Sequence, residues 1–370
     1  MYPRLCINLD KIERNAKALC NICGGRGISV AAVTKVFCAD PTIVNRLCRQ
    51  PVSYLADTRL ANIARYPETQ LPRMLLRSPS PDSCGDAVCG SDISLHSEID
   101  VLREMSVWAE RHKKVHGIVI MVDMGDLREG LYHTERQAIF NCAEFAASRQ
   151  WLSLHGIGVN LTCYGGVIPD SDIMGRFADL AEDLQKSLAM RFRIVSGGNS
   201  SSLDLVMKAA MPSGINNLRL GESIIRAEET AYQKPLPGLE PDAVILEAAL
   251  VEVQEKPSFP EGSIGLNAFG EKPCFKDTGK RRRGILAVGR QDTDPGGLAC
   301  LDSGVNVVGA SSDHMIVDLT QSDTRYRVGD ILGFSMNYSA ILRGFTSPYV
   351  ERHYTSTEVC EQPYYKKDTP

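Results

Sequence analysis

The sequence has little of what marks membrane proteins, secreted proteins and nucleic-acid-binding proteins. Its fully apolar runs, such as residues 118–122, are far shorter than a membrane-spanning helix. The opening segment, MYPRLCINLD, has no apolar stretch of the kind found in a secretory signal, so we expect a cytoplasmic protein. The net charge is only −4, which leaves no basic surface suited to nucleic acid. A basic run at residues 280–283 is short, and we predict a solvated turn for it.

The cysteines are numerous, but they do not form a disulfide or metal-binding pattern. The chain has 12 cysteines among 370 residues. In a chain of this length without a secretory signal, we expect reduced thiols. Cys20 and Cys23 form a CxxC pair, but no second pair lies nearby and both fall in a predicted helix. We therefore expect no metal site.

Short apolar strands alternate regularly with helices between residues 8 and 230. The predicted strands cover residues 30–34, 53–56, 73–76, 92–95, 117–123, 154–160, 193–196 and 217–220, with helices in most of the connections. Eight strands with helical crossovers in about 220 residues are typical of a (β/α)8 TIM-type barrel. A doubly wound parallel sheet is the alternative, but no GxGxxG segment is present to open it.

Residues 236–357 have a different character and predict a second, mostly β domain. Proline and glycine become frequent there, and strand-like segments are separated by turns. Residues 1–7 precede the first predicted helix and are a candidate additional strand of this domain. We predict that the polar segment 358–370 is a poorly ordered tail.

Reactive residues of barrel enzymes lie at the carboxyl ends of the strands, and one lysine stands there. In the segment AAVTKVF, Lys35 follows the first predicted strand. It is either a solvated residue after the strand or a lysine used to form a Schiff base. Other strand ends carry polar residues and glycines, namely Asp123, Arg128, Asn160, Cys163, Arg219, Gly221 and Glu222.

The segment SGGNSSS, residues 196–202, follows the seventh strand, where barrels often bind phosphate. Gly198 lets the backbone approach a ligand closely, and Asn199 and Ser200 can donate hydrogen bonds. Gly221 lets a second backbone N–H reach the same phosphate. A flexible turn is the alternative interpretation. A lysine and a phosphate site at one barrel mouth indicate pyridoxal phosphate as the cofactor.

Several segments, in order, resemble the alanine racemase-like, barrel-type pyridoxal phosphate enzymes. They are LCINLDKIERNAKAL, AAVTKVF, VDMGDLREG, NNLRLGE and GASSDHMIVDL, and the resemblance spans roughly residues 3–350. The longer segments GVNLTCYGGVIPD, SGGNSSSL and INNLRLGE are most similar to the ornithine racemase branch of these enzymes. The resemblance implies that Lys35 binds the cofactor and that a homodimer with shared active sites forms.

The resemblance also implies roles for further residues. Arg219 would face the pyridine nitrogen, where barrel-type decarboxylases place a carboxylate. Because a guanidinium keeps its proton, this favours racemisation. The expected cofactor contacts are Lys35, Asn160, Ser196, Gly198, Asn199, Ser200, Arg219, Gly221, Glu222 and Tyr349. Arg128 is expected to be catalytic, and Arg290 and Asp313 to bind the substrate.

Two departures from the alanine racemases leave the second proton carrier open. Arg290 stands at the position of their second-base tyrosine, and Asn160 replaces a histidine. We rank Cys163 first as the second carrier, since a nearby cation can lower the pKa of a thiol. His314 and Tyr338 follow it.

We therefore predict a pyridoxal phosphate-dependent racemase of a free amino acid, ornithine first, with lysine and others open. Asp123, Glu129, Asp292 and Asp294 are candidates to meet a distal substrate ammonium. Two alternatives remain, a barrel-type decarboxylase and a non-catalytic pyridoxal phosphate-binding protein. Proteins of the second kind usually lack the β domain.

Overall fold

The computed structural model describes residues 1–357, and these divide into two units. One unit comprises residues 12–242, and the other combines residues 1–11 with residues 243–357. The first elements along the chain are β1 (Arg4–Asn8) and α1 (Leu9–Gly24). The predicted tail, residues 358–370, lies outside the described residues.

Residues 12–242 form a closed barrel of eight parallel strands. The barrel strands are β2 (Ser29–Val33), β3 (Tyr54–Asp57), β4 (Arg73–Leu75), β5 (Ile93–His96), β6 (His116–Asp123), β8 (Leu152–Val159), β9 (Ile194–Ser196) and β10 (Asn217–Leu220). A further two-residue strand, β7 (Leu131–Tyr132), pairs with the end of β6 outside the closed ring. The order around the barrel is β2-β3-β4-β5-β6-β8-β9-β10, and β10 pairs with β2 again. This closure confirms the predicted (β/α)8 fold and excludes the open doubly wound sheet.

Helices cover the barrel at most of the predicted connections. They are α2 (Pro41–Cys48), α3 (Leu60–Ile63), α4 (Cys84–Gly90), α5 (Ile99–His112), α6 (Arg136–Ser148), α7 (Ser171–Ser187), α8 (Leu203–Met207) and α9 (Glu222–Arg226). A short pair, β11 (Glu228–Glu229) and β12 (Lys234–Pro235), follows. Helix α3 is only four residues long, and Pro67, which disfavours helical backbone at Tyr66, prevents its extension beyond that point.

The barrel is filled by small and medium apolar side chains rather than by a pore. All eight residues of β6 are buried, as expected of a parallel strand covered on both faces. The side chains packed in one interior cluster are Ala31, Val33, Ala56, Met74, Ile93, Leu95, Val119, Met121 and Ile194. This packed interior leaves the ends of the barrel as the places where ligands can bind.

The second unit is mainly one antiparallel sheet. Its elements are β13 (Val244–Pro257), β14 (Lys280–Leu286), β15 (Leu298–Cys300), β16 (Asn306–Ala310), β17 (Met315–Asp318), β18 (Ile331–Met336), α10 (Tyr338–Thr346) and β19 (Glu351–Thr355). The path through the sheet is β15-β18-β13-β14-β17-β16. The N-terminal strand β1 pairs antiparallel with β13 and parallel with β19.

The basic run at residues 280–283 is not a turn, and that prediction was wrong. It forms the first half of β14, where Arg282 lies opposite Glu255 and Arg283 opposite Gln254 of β13. Arg281 also comes within 3.6 Å of Asp318 on β17. Acidic and polar neighbours on the adjoining strands therefore make a basic strand acceptable.

In the part of the chain that the structure describes, no helix combines the length and the apolar character needed to cross a bilayer.

Candidate active site

Lys35 begins a tight turn at the carboxyl end of β2. The turn is a single 3₁₀ helix of Lys35–Phe37, and the next two residues, Cys38 and Ala39, both have φ of 50°. Asp40 then caps α2 by accepting hydrogen bonds from its first N–H groups. The chain thus leaves the barrel mouth within a few residues, with Lys35 at the start of the turn.

The surroundings of Lys35 favour its neutral amine. Burial lowers the pKa of Lys35, and the positive charge of Arg128 lowers it further. The charges of Cys163, Asp57 and Glu129 oppose this shift without cancelling it. Residues at the ends of several strands are therefore close enough to Lys35 to influence its ionisation.

A buried polar group fixes the residue before Lys35. The Thr34 hydroxyl donates to Asp57 Oδ2 at 2.6 Å, and the Tyr66 hydroxyl lies 2.9 Å from the same Thr34 oxygen. Asp57 is fully buried, and its other oxygen accepts from the Asn62 side chain at 3.0 Å. Sequence analysis missed Asp57, although its position directly after the predicted strand 53–56 was the signal for it.

The loop after β9 is shaped for close backbone approach. Gly198 has φ of +105°, and a Cβ there would lie 2.9 Å from Ser202 Oγ. The buried Ser200 hydroxyl donates to Ser223 Oγ at 3.0 Å and accepts from the Ser223 N–H at 3.3 Å. The loop after β9 is therefore tied to the start of α9 after β10.

Gly221 brings the end of β10 against the end of β2. A Cβ on Gly221 would lie 2.8 Å from the carbonyl oxygen of Val33, so only glycine fits. The neighbouring Glu222 pairs with Arg226 at 2.8 Å, and burial raises the pKa of the Glu222 carboxyl. The loops after β9 and β10 and the turn after β2 therefore meet at adjoining positions.

Arg219, on β10, is held rigidly in the barrel. Its Nη2 donates to Asn160 Oδ1 at 2.6 Å and to the Val159 carbonyl at 2.7 Å, and its Nη1 donates to the Ser196 hydroxyl. Burial lowers the pKa of Arg219 to about 10, a change that the charge of Glu129 opposes. At neutral pH the guanidinium therefore keeps its proton.

Glu129 extends this network to Arg128. Its Oε1 accepts from the Asn160 side chain and from Arg128 Nη2, and its Oε2 lies 2.6 Å from Arg128 Nε. The predicted residues Arg128, Asn160 and Arg219 are thus linked through a carboxylate. Ser196 belongs to the same network, since its hydroxyl also donates to Asn217 at 2.7 Å. Through these bonds, Ser196 supports Arg219.

Cys163 lies in the loop after β8, and its thiol differs from the expected one. Burial raises the pKa of Cys163, and the positive charges of Arg128 and Lys35 only oppose that shift. Cations do lie near Cys163, as predicted, but the prediction of a lowered pKa was wrong, because the pKa of the thiol is raised overall. Asn199, expected to contact phosphate, donates through its amide to Leu161 O and to Cys163 Sγ.

The remaining predicted site residues lie in the unit that contains the antiparallel sheet. Arg290 forms an ion pair with Glu271, 3.1 Å away, and stacks on Phe269. The Arg290 N–H donates to the Ser311 carbonyl, in the turn that carries Asp313 and the exposed His314. Asp313 Oδ1 lies 3.1 Å from His314 Nδ1. The structure therefore brings Arg290, Asp313 and His314 into neighbouring turns. The other two predicted residues of this unit are Tyr338, the first residue of α10, and Tyr349, an exposed residue before β19.

Three of the four carboxylates considered for a distal ammonium have other partners. Asp123 accepts from the Gly125 and Leu127 N–H groups. Glu129 holds Arg128 and Asn160, and the buried Asp292 accepts from the Ser347 hydroxyl at 2.9 Å. Within residues 1–357, the side chain of Asp294 accepts no hydrogen bond. It is therefore the carboxylate of the four with most acceptor capacity left.

The residues at this barrel mouth fit pyridoxal phosphate. Lys35 offers an amine whose pKa is lowered, which suits covalent attachment. The turn around Gly198 offers close backbone and hydroxyl groups of the kind that cradle phosphate. These two features and Arg219 lie at the ends of β2, β9 and β10, which are consecutive in the barrel. Among the described residues, no group of three or more potential metal ligands is found.

Comparison with known proteins shows a family, relatives and solved structures to which this chain is similar. The family model described as alanine racemase, N-terminal domain, matches residues 7–227. An ornithine racemase of Acetoanaerobium sticklandii is 44% identical over 95% of this chain and 99% of its own length. A lysine racemase of Thermotoga maritima is 37% identical over 96% of this chain and 99% of its own. The structure of alanine racemase from Bartonella henselae, described with covalently bound pyridoxal phosphate, superposes with a TM-score of 0.71 at 15% identity, covering 95% of this chain and 99% of that one.

Proposed function

Since this chain belongs to the alanine racemase family, we propose that it is a pyridoxal phosphate-dependent racemase of a basic amino acid. Ornithine is the first candidate substrate and lysine the second, in line with the two relatives of matching length. The observation that carries the proposal is the adjacency of Lys35, Arg219 and the loop around Gly198 on three consecutive strands. The cofactor, when bound, withdraws electrons from the substrate and so acidifies its Cα proton.

Lys35 and Arg219 have separate tasks in this reaction. Lys35 would hold the cofactor through its amine, and the same Nζ would take the Cα proton of the substrate. Its lowered pKa makes the neutral amine available for this. Arg219 keeps its own proton and can only donate a hydrogen bond. Beside the pyridine nitrogen, it would leave the ring a weaker electron sink than a carboxylate at this position would. A weaker sink favours quick return of a proton to Cα, which a racemase requires, over the longer-lived intermediates that suit a decarboxylase.

Cys163 is our candidate for the second proton carrier. At neutral pH its raised pKa keeps the thiol protonated, while the lowered pKa of Lys35 favours its neutral amine. This pair of states is the one needed when Lys35 removes a proton from one face and Cys163 supplies one to the other. His314 and Tyr338 are the alternatives, and Arg290 is too basic for the task.

Cys163→Ser should slow racemisation by roughly 10²–10⁴-fold, the usual cost of losing a general acid–base group. The absorbance of the bound cofactor should persist, because Lys35 is intact. One enantiomer should still exchange its Cα proton through Lys35, while its conversion to the other enantiomer stalls. Proton exchange in heavy water and chiral chromatography measure the two rates. Cys89→Ser, which changes another exposed cysteine, is the matched control.

A different result with Cys163→Ser would move the role elsewhere. If both enantiomers convert at wild-type rates, Cys163 is not the second carrier. His314→Gln and Tyr338→Phe then identify which alternative produces the asymmetric loss.

A substrate panel tests the proposed activity itself. Each L-amino acid is incubated with the holoenzyme in heavy water and scored for Cα deuterium and for the D-isomer. We expect both products to form fastest from ornithine or lysine. Evolution of carbon dioxide would instead indicate a decarboxylase. Cofactor binding without Cα exchange from any amino acid would indicate a non-catalytic binding protein.

Gly198→Asp should weaken cofactor binding at least roughly tenfold. The residue must adopt φ of +105°, its Cβ would crowd Ser202 Oγ, and its carboxylate would repel a phosphate. Gly198→Ala imposes the strain without the charge and should have the smaller effect. Titration of the apoprotein with pyridoxal phosphate measures both. Unchanged affinity in Gly198→Asp would place the phosphate at another loop.

The β-sheet unit supplies the remaining parts of the proposal. Arg290 and Asp313 are proposed substrate contacts, Tyr349 a cofactor contact, and Asp294 the carboxylate for a distal ammonium. We propose a head-to-tail homodimer in which this unit completes the partner's barrel mouth, as the family resemblance implies. Activity should then fall on dilution with the dissociation of the dimer. A monomer with full activity would contradict this arrangement.

A further inference from the structure

The loop that carries Cys163 is fastened by a single buried carboxylate. Asp126 is 1% exposed, and its Oδ2 accepts the N–H groups of Cys163 at 3.0 Å and Tyr164 at 2.9 Å. Its Oδ1 accepts the Val167 N–H at 3.0 Å, and its main-chain oxygen accepts that of Gly165 at 2.9 Å. One residue therefore holds four backbone N–H groups of the loop.

Glycine and charge both contribute to this fastening. A Cβ on Gly165 would lie 2.8 Å from the Asp126 carbonyl oxygen, so the loop can approach this closely only with glycine. Burial alone would raise the pKa of Asp126, but its backbone donors outweigh that effect and lower it. The carboxylate is therefore ionised at neutral pH, and the loop is organised around a negative charge.

The thiol has one hydrogen-bond partner for each protonation state. Protonated Sγ can donate to the Leu161 carbonyl, 3.4 Å away. Asn199 Nδ2 lies 3.4 Å from the same sulfur and can donate to it when it is a thiolate. Asn199 is itself oriented, because its Oδ1 accepts the Ser201 N–H at 2.9 Å and its Nδ2 also reaches Leu161 O at 3.1 Å.

These contacts have no evident purpose for an inert cysteine. A structural thiol is buried and packed, whereas Cys163 is an exposed residue whose sulfur is only partly shielded from water and has both a donor and an acceptor beside it. A group that must alternately hold and release a proton needs both. The two partners come from different strand-end loops, which gives the sulfur a fixed place at the barrel mouth.

We propose that Asn199 and Asp126 are positioning residues for the Cys163 thiol, Asn199 stabilising its thiolate form and Asp126 holding its backbone. The proposal rests on the proposed function in taking Cys163 as the second proton carrier. Asn199 is thereby assigned to the proton transfer rather than to the phosphate. The thiol can be titrated without turnover, so the two ideas can be separated.

The test is the pH dependence of iodoacetamide alkylation at Cys163 in the holoenzyme, followed by peptide-resolved mass spectrometry. Cys274, another exposed cysteine, is the internal reference in the same samples. Asn199→Asp keeps the acceptor for Ser201 but places a carboxylate beside the sulfur. We expect it to raise the thiol pKa by about one unit or more. Asn199→Ala, which removes the donor without adding charge, should raise the pKa by a smaller amount.

Asp126→Asn should have the opposite effect on the thiol. It removes a negative charge that raises the pKa of Cys163, and it frees the loop. We therefore expect alkylation to begin at lower pH and to be several-fold faster at its plateau. Mere loosening of the site would lower the thiol pKa in every variant, because burial is what raises it. An upward shift in the Asn199 variants is therefore specific to a lost donor.

The outcomes separate the positioning roles from the catalytic one. An unchanged alkylation profile in both Asn199 variants overturns the role of Asn199. An unchanged profile in Asp126→Asn overturns the role of Asp126 in positioning the thiol. The racemisation rate in the direction that needs the thiolate should show the same pKa shift in Asn199→Ala. If the thiol titration moves but this rate profile does not, the thiol is held as proposed and Cys163 is not the second carrier.

Discussion

Replacing Lys35 with alanine should remove both the visible absorbance of the bound cofactor and the racemase activity. The cofactor would lose its covalent anchor, and one face of the substrate would lose its proton carrier. We expect the activity to fall below detection, since these two losses act on the same reaction. Among the described residues, no other lysine lies at the carboxyl end of a barrel strand.

Absorbance spectra of the variant incubated with pyridoxal phosphate, together with a chiral assay, measure this result. Lys186→Ala is a suitable control, because Lys186 is an exposed residue on α7, where it pairs with Glu182. Folding is checked by thermal unfolding of the apoproteins. A Lys35→Ala protein that keeps both the absorbance and the activity would refute the assignment of the site.

Replacing Arg219 with glutamate should change the course of the reaction as well as its rate. A carboxylate at this position would allow the pyridine nitrogen to be protonated, which makes the ring a stronger electron sink. We expect new long-wavelength absorbance during turnover, products of side reactions such as transamination, and racemisation slowed by roughly 10²-fold or more. Stopped-flow spectra and product analysis with L-ornithine measure these effects.

The control for this prediction must account for the buried network. Arg219 donates to Ser196, Val159 and Asn160, and glutamate would leave these acceptors without a donor. Arg219→Gln loses the positive charge without introducing a carboxylate. Both variants should be less stable, but only Arg219→Glu should show the new absorbance. Identical spectra and products in wild type and Arg219→Glu would mean that Arg219 does not face the ring.

The barrel could be predicted because its signal is local. Each barrel strand is a short apolar run, such as residues 30–34 for β2, and each is followed by a polar or glycine-containing turn. The placement of Lys35 after β2 follows from the same pattern. Strand ends in a parallel barrel face one mouth, so a residue's place along its strand is enough to nominate it.

Local patterns failed where a segment's neighbours decide its structure. The basic run at residues 280–283 reads as a solvated turn by itself. It becomes part of β14 because the apolar residues that follow it in that strand pair with β13. In addition, Glu255 and Asp318 lie beside the arginines of the run. Charge composition alone does not reveal which partners lie opposite.

The strand pattern and the position of Lys35 were thus determined by the sequence. A short apolar run and the point at which it ends can both be read from neighbouring residues. Only the tertiary structure decided what surrounds the reactive groups. Asp126 and Cys163 are 37 positions apart, and Arg219 lies 59 positions from Asn160, yet they meet at one barrel mouth. Barrel closure sets these distances, and it buries Asp126 and Arg219 and partly shields the sulfur of Cys163 from water, although that residue as a whole is exposed. Burial is why the pKa of Cys163 is raised where the sequence predicted a lowered one.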